Sequence, residues 1–280
     1  MGKEKSTRFT GEGHFDKIFH DKQNRRGTKM NQKRDPVGVF DSGIGGISTL
    51  REMIRELPDE RFIYFGDTAN APYGTKTTEE VIDCVRGVVD RLMEKRIKAL
   101  VIACNTATGA AAATLRKELS IPVVGMEPAL KPASKVRKNG SVLVLATPLT
   151  LHQEKFENLM KQYGQGAVKV PCPGLMELVE QDDDAGALRY LQELFDRYPV
   201  EKVDAVVLGC THYVFLKDMI RDLLPDRIAI TDGNAGTARQ LRRVLEREDL
   251  LNGEGPGSVE LETSGSEKDI ELMQKLMYNP

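Results

Sequence analysis

From Pro36 onward, short apolar runs alternate with amphipathic stretches, and that alternation leaves few folds open. Strands are expected at 37–40, 62–65, 100–103, 123–125, 141–146, 167–170, 205–208 and 228–230, and helices at 47–56, 78–95, 107–118, 150–163, 185–198, 215–223 and 235–248. Strands covered on both faces read as continuous apolar runs, so the pattern predicts an α/β chain with mainly parallel sheets flanked by helices. Two strands end alike. Ala99-Leu100-Val101-Ile102-Ala103-Cys104-Asn105-Thr106 and Ala205-Val206-Val207-Leu208-Gly209-Cys210-Thr211-His212 each run from apolar residues into a cysteine and then hydroxyl or amide side chains. Each sulfur is thereby expected where a buried strand meets solvent. A helix and a short strand follow in both cases. This weak repeat implies two similar domains, 35–130 and 131–239, facing each other across a cleft, with a boundary near 128–138. A glycine-rich loop at 253–257 precedes a last strand at 259–262 and a last helix at 267–277; the segment from about 240 to 280 is expected to return to the first domain.

Composition narrows the function. The 280 residues carry a formal net charge of -2, which sets up no field to draw nucleic acid or an acidic membrane. No apolar run reaches the roughly 18 residues of a membrane span, and the N-terminus lacks the apolar stretch of a signal peptide, so the expected address is the cytoplasm. Four cysteines without C-x-x-C spacing and only four histidines argue against a zinc site or a disulfide framework. Cys84 reads as a small core residue, His152 as solvated, Met273 and Met277 as packing residues, and Asp182-Asp183-Asp184 as a helix start. Residues 1–34, with ten Lys and Arg against four Asp and Glu, read as a basic, flexible extension.

Two loops add chemistry. After the first strand, Asp41-Ser42-Gly43-Ile44-Gly45-Gly46 leads into a helix and offers backbone N–H groups to a small anion. It is not a dinucleotide fingerprint, because Ser48 stands where the third glycine would be. Asp41 at the strand end is placed to hold an amino group or to steer a thiol, or else to cap the helix. Ala71-Pro72-Tyr73-Gly74 fixes a tyrosine between turn residues, where it can line a pocket.

Together with Cys104-Asn105-Thr106-Ala107-Thr108, Pro171-Cys172-Pro173-Gly174, Leu178-Val179-Glu180 and Leu208-Gly209-Cys210-Thr211-His212-Tyr213, these strings resemble the glutamate racemases of the aspartate/glutamate racemase superfamily. The resemblance spans about 37–276. It implies an isomerase that interconverts L- and D-glutamate without a cofactor and supplies D-glutamate for bacterial peptidoglycan. On that resemblance Cys104 takes the α-proton from the D enantiomer and Cys210 from the L, Asp41 assists Cys104, and His212 assists Cys210. Ser42, Tyr73, Gly74, Asn105, Thr106 and Thr211 match substrate contacts, and Thr147 and Glu180 match further pocket residues. A nucleotide-linked peptidoglycan precursor is an implied activator, and a homodimer is compatible, its arrangement left open.

The residues themselves support a two-thiol mechanism, since a thiol's ordinary pKa near 8.5 is open to adjustment and no pyridoxal signature supplies an electron sink. Three rivals stand beside this assignment. A related racemase acting on aspartate or another acidic substrate would share both cysteines, a cysteine hydrolase would leave one unexplained, and an amino-acid-binding protein would need neither.

Overall fold

The computed structural model describes residues 29–253 and 255–278. Among the described residues nine strands form two parallel sheets, which meets the α/β expectation. In the first, β1 (Val37–Asp41), β2 (Arg61–Gly66), β3 (Ala99–Ile102), β4 (Val123–Gly125) and β9 (Ser258–Thr263) lie in the order β4-β3-β1-β2-β9; in the second, β5 (Ser141–Ala146), β6 (Ala167–Pro171), β7 (Val203–Leu208) and β8 (Ala229–Asp232) lie in the order β6-β5-β7-β8. Every pairing is parallel. Strands β1, β3 and β7 are buried almost throughout, as their unbroken apolar runs require.

Each sheet has a core on each face. On the first, α3 (Thr78–Glu94) and α4 (Asn105–Glu118) cover Phe40, Leu100 and Ile102, while α2 (Ile47–Glu56) and α11 (Asn234–Arg247) cover Val39, Tyr64 and Val101. On the second, α9 (Asp184–Phe195) and α10 (Lys217–Leu223) lie over Leu143 and Val206, while α5 (Leu130–Val136) and α7 (Glu154–Tyr163) lie over Val144 and Val207. The chain leaves β1 toward β2 on one side and leaves β3 toward β4 on the other, with the connecting helices on opposite faces. The crevice between β1 and β3 is therefore a topological switch point, and the one between β5 and β7 is its counterpart in the second sheet. Both cysteines of the repeat sit two residues past a strand at these points.

Several elements differ from the sequence expectation. Of the basic segment 1–34, residues 1–28 lie outside the described residues, but Lys29–Arg34 is a helix, α1. It is docked: Lys98 Nζ donates to Lys33 O at 2.6 Å, and Lys33 pairs with Asp249 at 2.6 Å. The single helix expected at 150–163 is two, α6 (Pro148–His152) and α7, because Gln153 adopts an extended backbone and sends its Nε2 to Thr106 O at 2.9 Å. The segment expected as a helix from 215 begins instead as a 3₁₀ turn, His212–Leu216. The remaining short expectations hold: Met273 is buried, His152 is exposed, and Asp183 caps α9 by accepting from Gly186 N–H at 2.9 Å.

At the base of the first sheet lies a buried ion pair, Lys98 Nζ to Glu60 Oε2 at 2.5 Å, both side chains almost fully inaccessible. Glu60 also accepts from Asn252 N–H at 2.7 Å, so one carboxylate ties together β2, β3 and the chain before β9. Burial pushes the Lys98 ammonium below the usual lysine range, against the pull of Glu60. Breaking such a pair leaves an uncompensated charge. Lys98→Met is therefore expected to lower unfolding stability by about 3 kcal/mol in a urea titration, and Glu60→Gln added to it to restore part of the loss. An unchanged midpoint in the single variant would show that the pair contributes nothing.

Candidate active site

The glycine loop after β1 brings the two sheets together. At Gly45 a Cβ would fall into the His212 ring and the Thr211 hydroxyl, and at Gly43 one would fall onto the Glu180 carboxylate. These glycines are therefore sites of close approach by the second sheet's loops, a reason the sequence alone does not reveal. Tyr64 O–H holds Gly43 O at 2.7 Å, and Ser48 Oγ donates to Gly45 O at 2.8 Å, which fixes the loop from its own side.

Asp41 closes β1 with a fully buried carboxylate. Ser42 Oγ donates to its Oδ1 at 3.0 Å and Thr211 Oγ1 to its Oδ2 at 2.7 Å, the second bond crossing between the sheets. Cys104 is the N-cap of α4; its sulfur accepts from Ala107 N–H at 3.4 Å and lies 3.5 Å from Ser42 Oγ. Burial, with the Asp41 charge behind it, pushes the Cys104 thiol up to about 12, against the Ala107 N–H and the Ser42 hydroxyl. Cys210 has different neighbours. Its sulfur is 3.7 Å from His212 Nδ1, and His212 Nε2 is 2.9 Å from Glu180 Oε1. Burial opposes a charge on His212, yet the hydrogen bonds to Cys210 and Glu180 outweigh it and raise the imidazole well above its ordinary range.

Both sulfurs line one cavity at the junction, together with Ser42, Gly74, Asn105, Thr106, Thr147 and Thr211. Its volume of about 10 Å³ holds about one water. As it stands, that space is too small for an amino acid. Asn105 Oδ1 is buried without a hydrogen-bond partner, a free acceptor beside Cys104, while its Nδ2 contacts Met126 Sδ at 3.3 Å. The side chains of Asp41, His212 and Glu180 stand behind the wall, bonded to residues that form it or to each other.

Tyr73 is placed otherwise than its loop suggested. Gly74 faces the cavity, whereas the Tyr73 ring is buried in the first core and its hydroxyl donates to Asp67 Oδ2 at 2.5 Å. Asp67, itself buried and held by Asn70 Nδ2 at 3.0 Å, fastens this loop. Sequence reasoning missed Asp67; the signal was a carboxylate directly after an apolar strand, as at Asp41. It also passed over Thr150, whose spacing from Thr147 is that of a helix cap. Among the described residues no group of three metal-ligating side chains occurs, and no helix is long and apolar enough to cross a membrane.

A family model described as Asp/Glu/Hydantoin racemase matches residues 39–241. Glutamate racemases of Clostridium botulinum strain Alaska E43 and Clostridium acetobutylicum are each 46% identical over 255 residues, 89% of this chain and 99% of theirs. The chain belongs to this racemase family, among its glutamate racemases. As such it is an isomerase. The solved glutamate racemase isoform RacE1 of Bacillus anthracis superposes with a TM-score of 0.79 at 33% identity, covering 87% of this chain and 93% of that one. The Escherichia coli glutamate racemase, solved with L-glutamate and the activator UDP-MurNAc-Ala, gives 0.75 at 30% identity, covering 86% and 95%.

In this racemase the charge on Glu180 helps keep His212 protonated. Glu180→Gln is expected to shift the basic limb of the kcat/KM profile toward lower pH by about one unit, because removing a facing carboxylate lowers the imidazole pKa. A limb that stays in place would uncouple Glu180 from His212 protonation.

Proposed function

We propose that this racemase interconverts L- and D-glutamate by a two-base mechanism in which Cys210 takes the α-proton from the L enantiomer and Cys104 from the D. The observation that carries this reading is the single cavity shared by the two sulfurs. Its electrostatics suit the L-to-D direction as a starting state. The raised His212 sets a cation beside Cys210, and the raised Cys104 keeps its proton to donate to the opposite face. After one turnover the protonation states have exchanged, which is what the reverse reaction needs. Asp41 steers Cys104 through Ser42, and Glu180 steers Cys210 through His212. Asn105, Thr106, Thr147, Thr211, Ser42 and the Gly74 backbone form the substrate walls, with Tyr73 anchoring the loop that carries Gly74. A hydrolase needs one nucleophile and leaves the second sulfur without work. The solved relative holding L-glutamate favours glutamate over aspartate.

On this reading the product is D-glutamate for peptidoglycan, made in the cytoplasm. The two sheets act as two units that close on substrate. The segment after residue 239 works with the first unit, as the pairing of β9 with β2 and the packing of α11 on α2 support. Incubating L-glutamate in deuterium oxide tests the core of the proposal. Wild type is expected to racemise it with α-deuteration of the product, and Cys104→Ser and Cys210→Ser each to lose at least about 10²-fold in rate. Full turnover in both variants would reject the mechanism.

The nucleotide-linked precursor is proposed as an activator here too. A cavity of about 1240 Å³ lies at the junction away from the sulfurs, where Arg116, Lys131, Lys135, Arg239 and Arg247 exceed the facing Glu127, Asp232 and Glu248. Its size and charge suit a sugar-linked diphosphate. The precursor is expected to raise kcat/KM of the full chain, and deletion of residues 1–28 to blunt that response. An unchanged response would remove the basic segment from regulation.

A further inference from the structure

Three threonine hydroxyls meet at the junction. Thr106 Oγ1 at the start of α4 lies 3.0 Å from Thr147 Oγ1 and 2.9 Å from Thr150 Oγ1, and Thr147 Oγ1 lies 2.9 Å from Thr150 Oγ1. Thr147 and Thr150 belong to the second sheet's loop and helix, so the triangle spans the two sheets. A hydroxyl has one hydrogen and two lone pairs. With Thr147 donating to Thr150, all three contacts are satisfied only if Thr150 donates to Thr106 and Thr106 to Thr147. The ring then uses every hydrogen it has. Thr147 also accepts from Thr150 N–H at 3.3 Å, which pins the triangle to the first turn of α6.

The three are not equivalent. Thr106 and Thr147 line the cavity that the sulfurs share, whereas Thr150, 2% exposed, stands behind them. We propose that Thr150 is a positioning residue for substrate binding, whose hydroxyl frees both front hydroxyls to donate to one substrate carboxylate. This rests on the assignment of glutamate as substrate. When the carboxylate arrives, Thr106 and Thr147 turn their hydrogens toward it. Their oxygens then face each other at about 3 Å with lone pairs only, and the Thr150 hydrogen is the one that can lie between them. Without it, one front hydroxyl donates to the other and a single donor remains for the anion. Thr150 is held in place for this by its own backbone N–H and by burial, so its geometry is set before substrate binds.

The test compares Thr150→Val, which keeps the volume and removes the hydroxyl, with Thr150→Ser, which restores the hydroxyl and removes a methyl group. Steady-state racemisation of L- and D-glutamate and thermal melting are measured beside wild type. Losing one hydrogen bond to a charged group predicts a KM about tenfold higher for both enantiomers in the valine variant, with kcat little changed because the contact persists into the transition state. The serine variant is expected within about threefold of wild type. A wild-type KM in the valine variant, or an equal rise in the serine variant, would overturn the proposal. If the valine variant does not fold, Thr150→Ala takes its place: a KM rise with alanine and none with serine supports the role, and equal values refute it. Wild type that fails to racemise glutamate would instead overturn the substrate assignment.

Discussion

A carboxylate with no exposure to water holds the two sheets in register. Asp41 lies at the end of the central strand of the first sheet, and a buried charge is tolerated only when hydrogen bonds replace its hydration. One of its oxygens is served from its own loop by Ser42, the other from the opposite sheet by Thr211. Charge-assisted bonds of this kind contribute about 1.5–3 kcal/mol each, so the junction gains most where Thr211 meets Asp41. The neighbour of Thr211 in the chain is Cys210, and the sulfur nearest Ser42 is Cys104. The contact that satisfies Asp41 thus also sets both thiols on one cavity, and the glycines at 43 and 45 are what let the loops come that close.

The duplicated strand-and-cysteine pattern gives like backbones but unlike electrostatics. Cys104 stands near an anion and is itself an N-cap, and Cys210 faces an imidazole braced by a carboxylate. The difference follows from what comes after each sulfur. Asn105 and Thr106 open a regular α-helix, while Thr211 and His212 enter a 3₁₀ turn that folds the imidazole back toward Cys210. A histidine with a raised folded-state pKa contributes stability that is full below its unfolded pKa, near 6.5, and fades as pH climbs through the raised value. That imidazolium therefore stabilises the fold of the second sheet's loops, where its partners Cys210 and Glu180 both lie, and does so from the acid side.

Much of this was legible because parallel strands covered on both faces must be apolar without a break. Strands β1, β3, β5 and β7 could be read directly, and with them the position of each cysteine just past a strand end. Legibility failed where a side chain is fixed by a residue far away in sequence. Gln153 reads as one more helical residue until Thr106 O is beside it, and then it divides α6 from α7. Tyr73 reads as a pocket residue until Asp67 turns its hydroxyl inward. Glu60 and Lys98, separated by more than a helix, become partners only when the sheet makes them neighbours. Local pattern carries the fold here, and tertiary partners decide which side chain faces the cavity.

The same polarity that fixes the junction makes it separable. The bonds that cross it near the cavity, Thr211 to Asp41, Ser48 to Thr211 O, Thr106 to Thr147 and Thr150, and Gln153 to Thr106 O, come mainly from hydroxyl and amide side chains. Each can exchange its partner for water when the sheets part, so the net cost is about 0.5–1.5 kcal/mol for each neutral bond and about 1.5–3 kcal/mol for Thr211 to Asp41, far less than exposing either apolar core. A cavity of about 10 Å³ must enlarge many-fold to admit an amino acid, and a polar seam is the arrangement that permits this without loosening the sheets themselves. On the proposed two-thiol reading, closing would restore the seam around the substrate and exclude water from both sulfurs, so that a proton held by a thiol reaches carbon before solvent does.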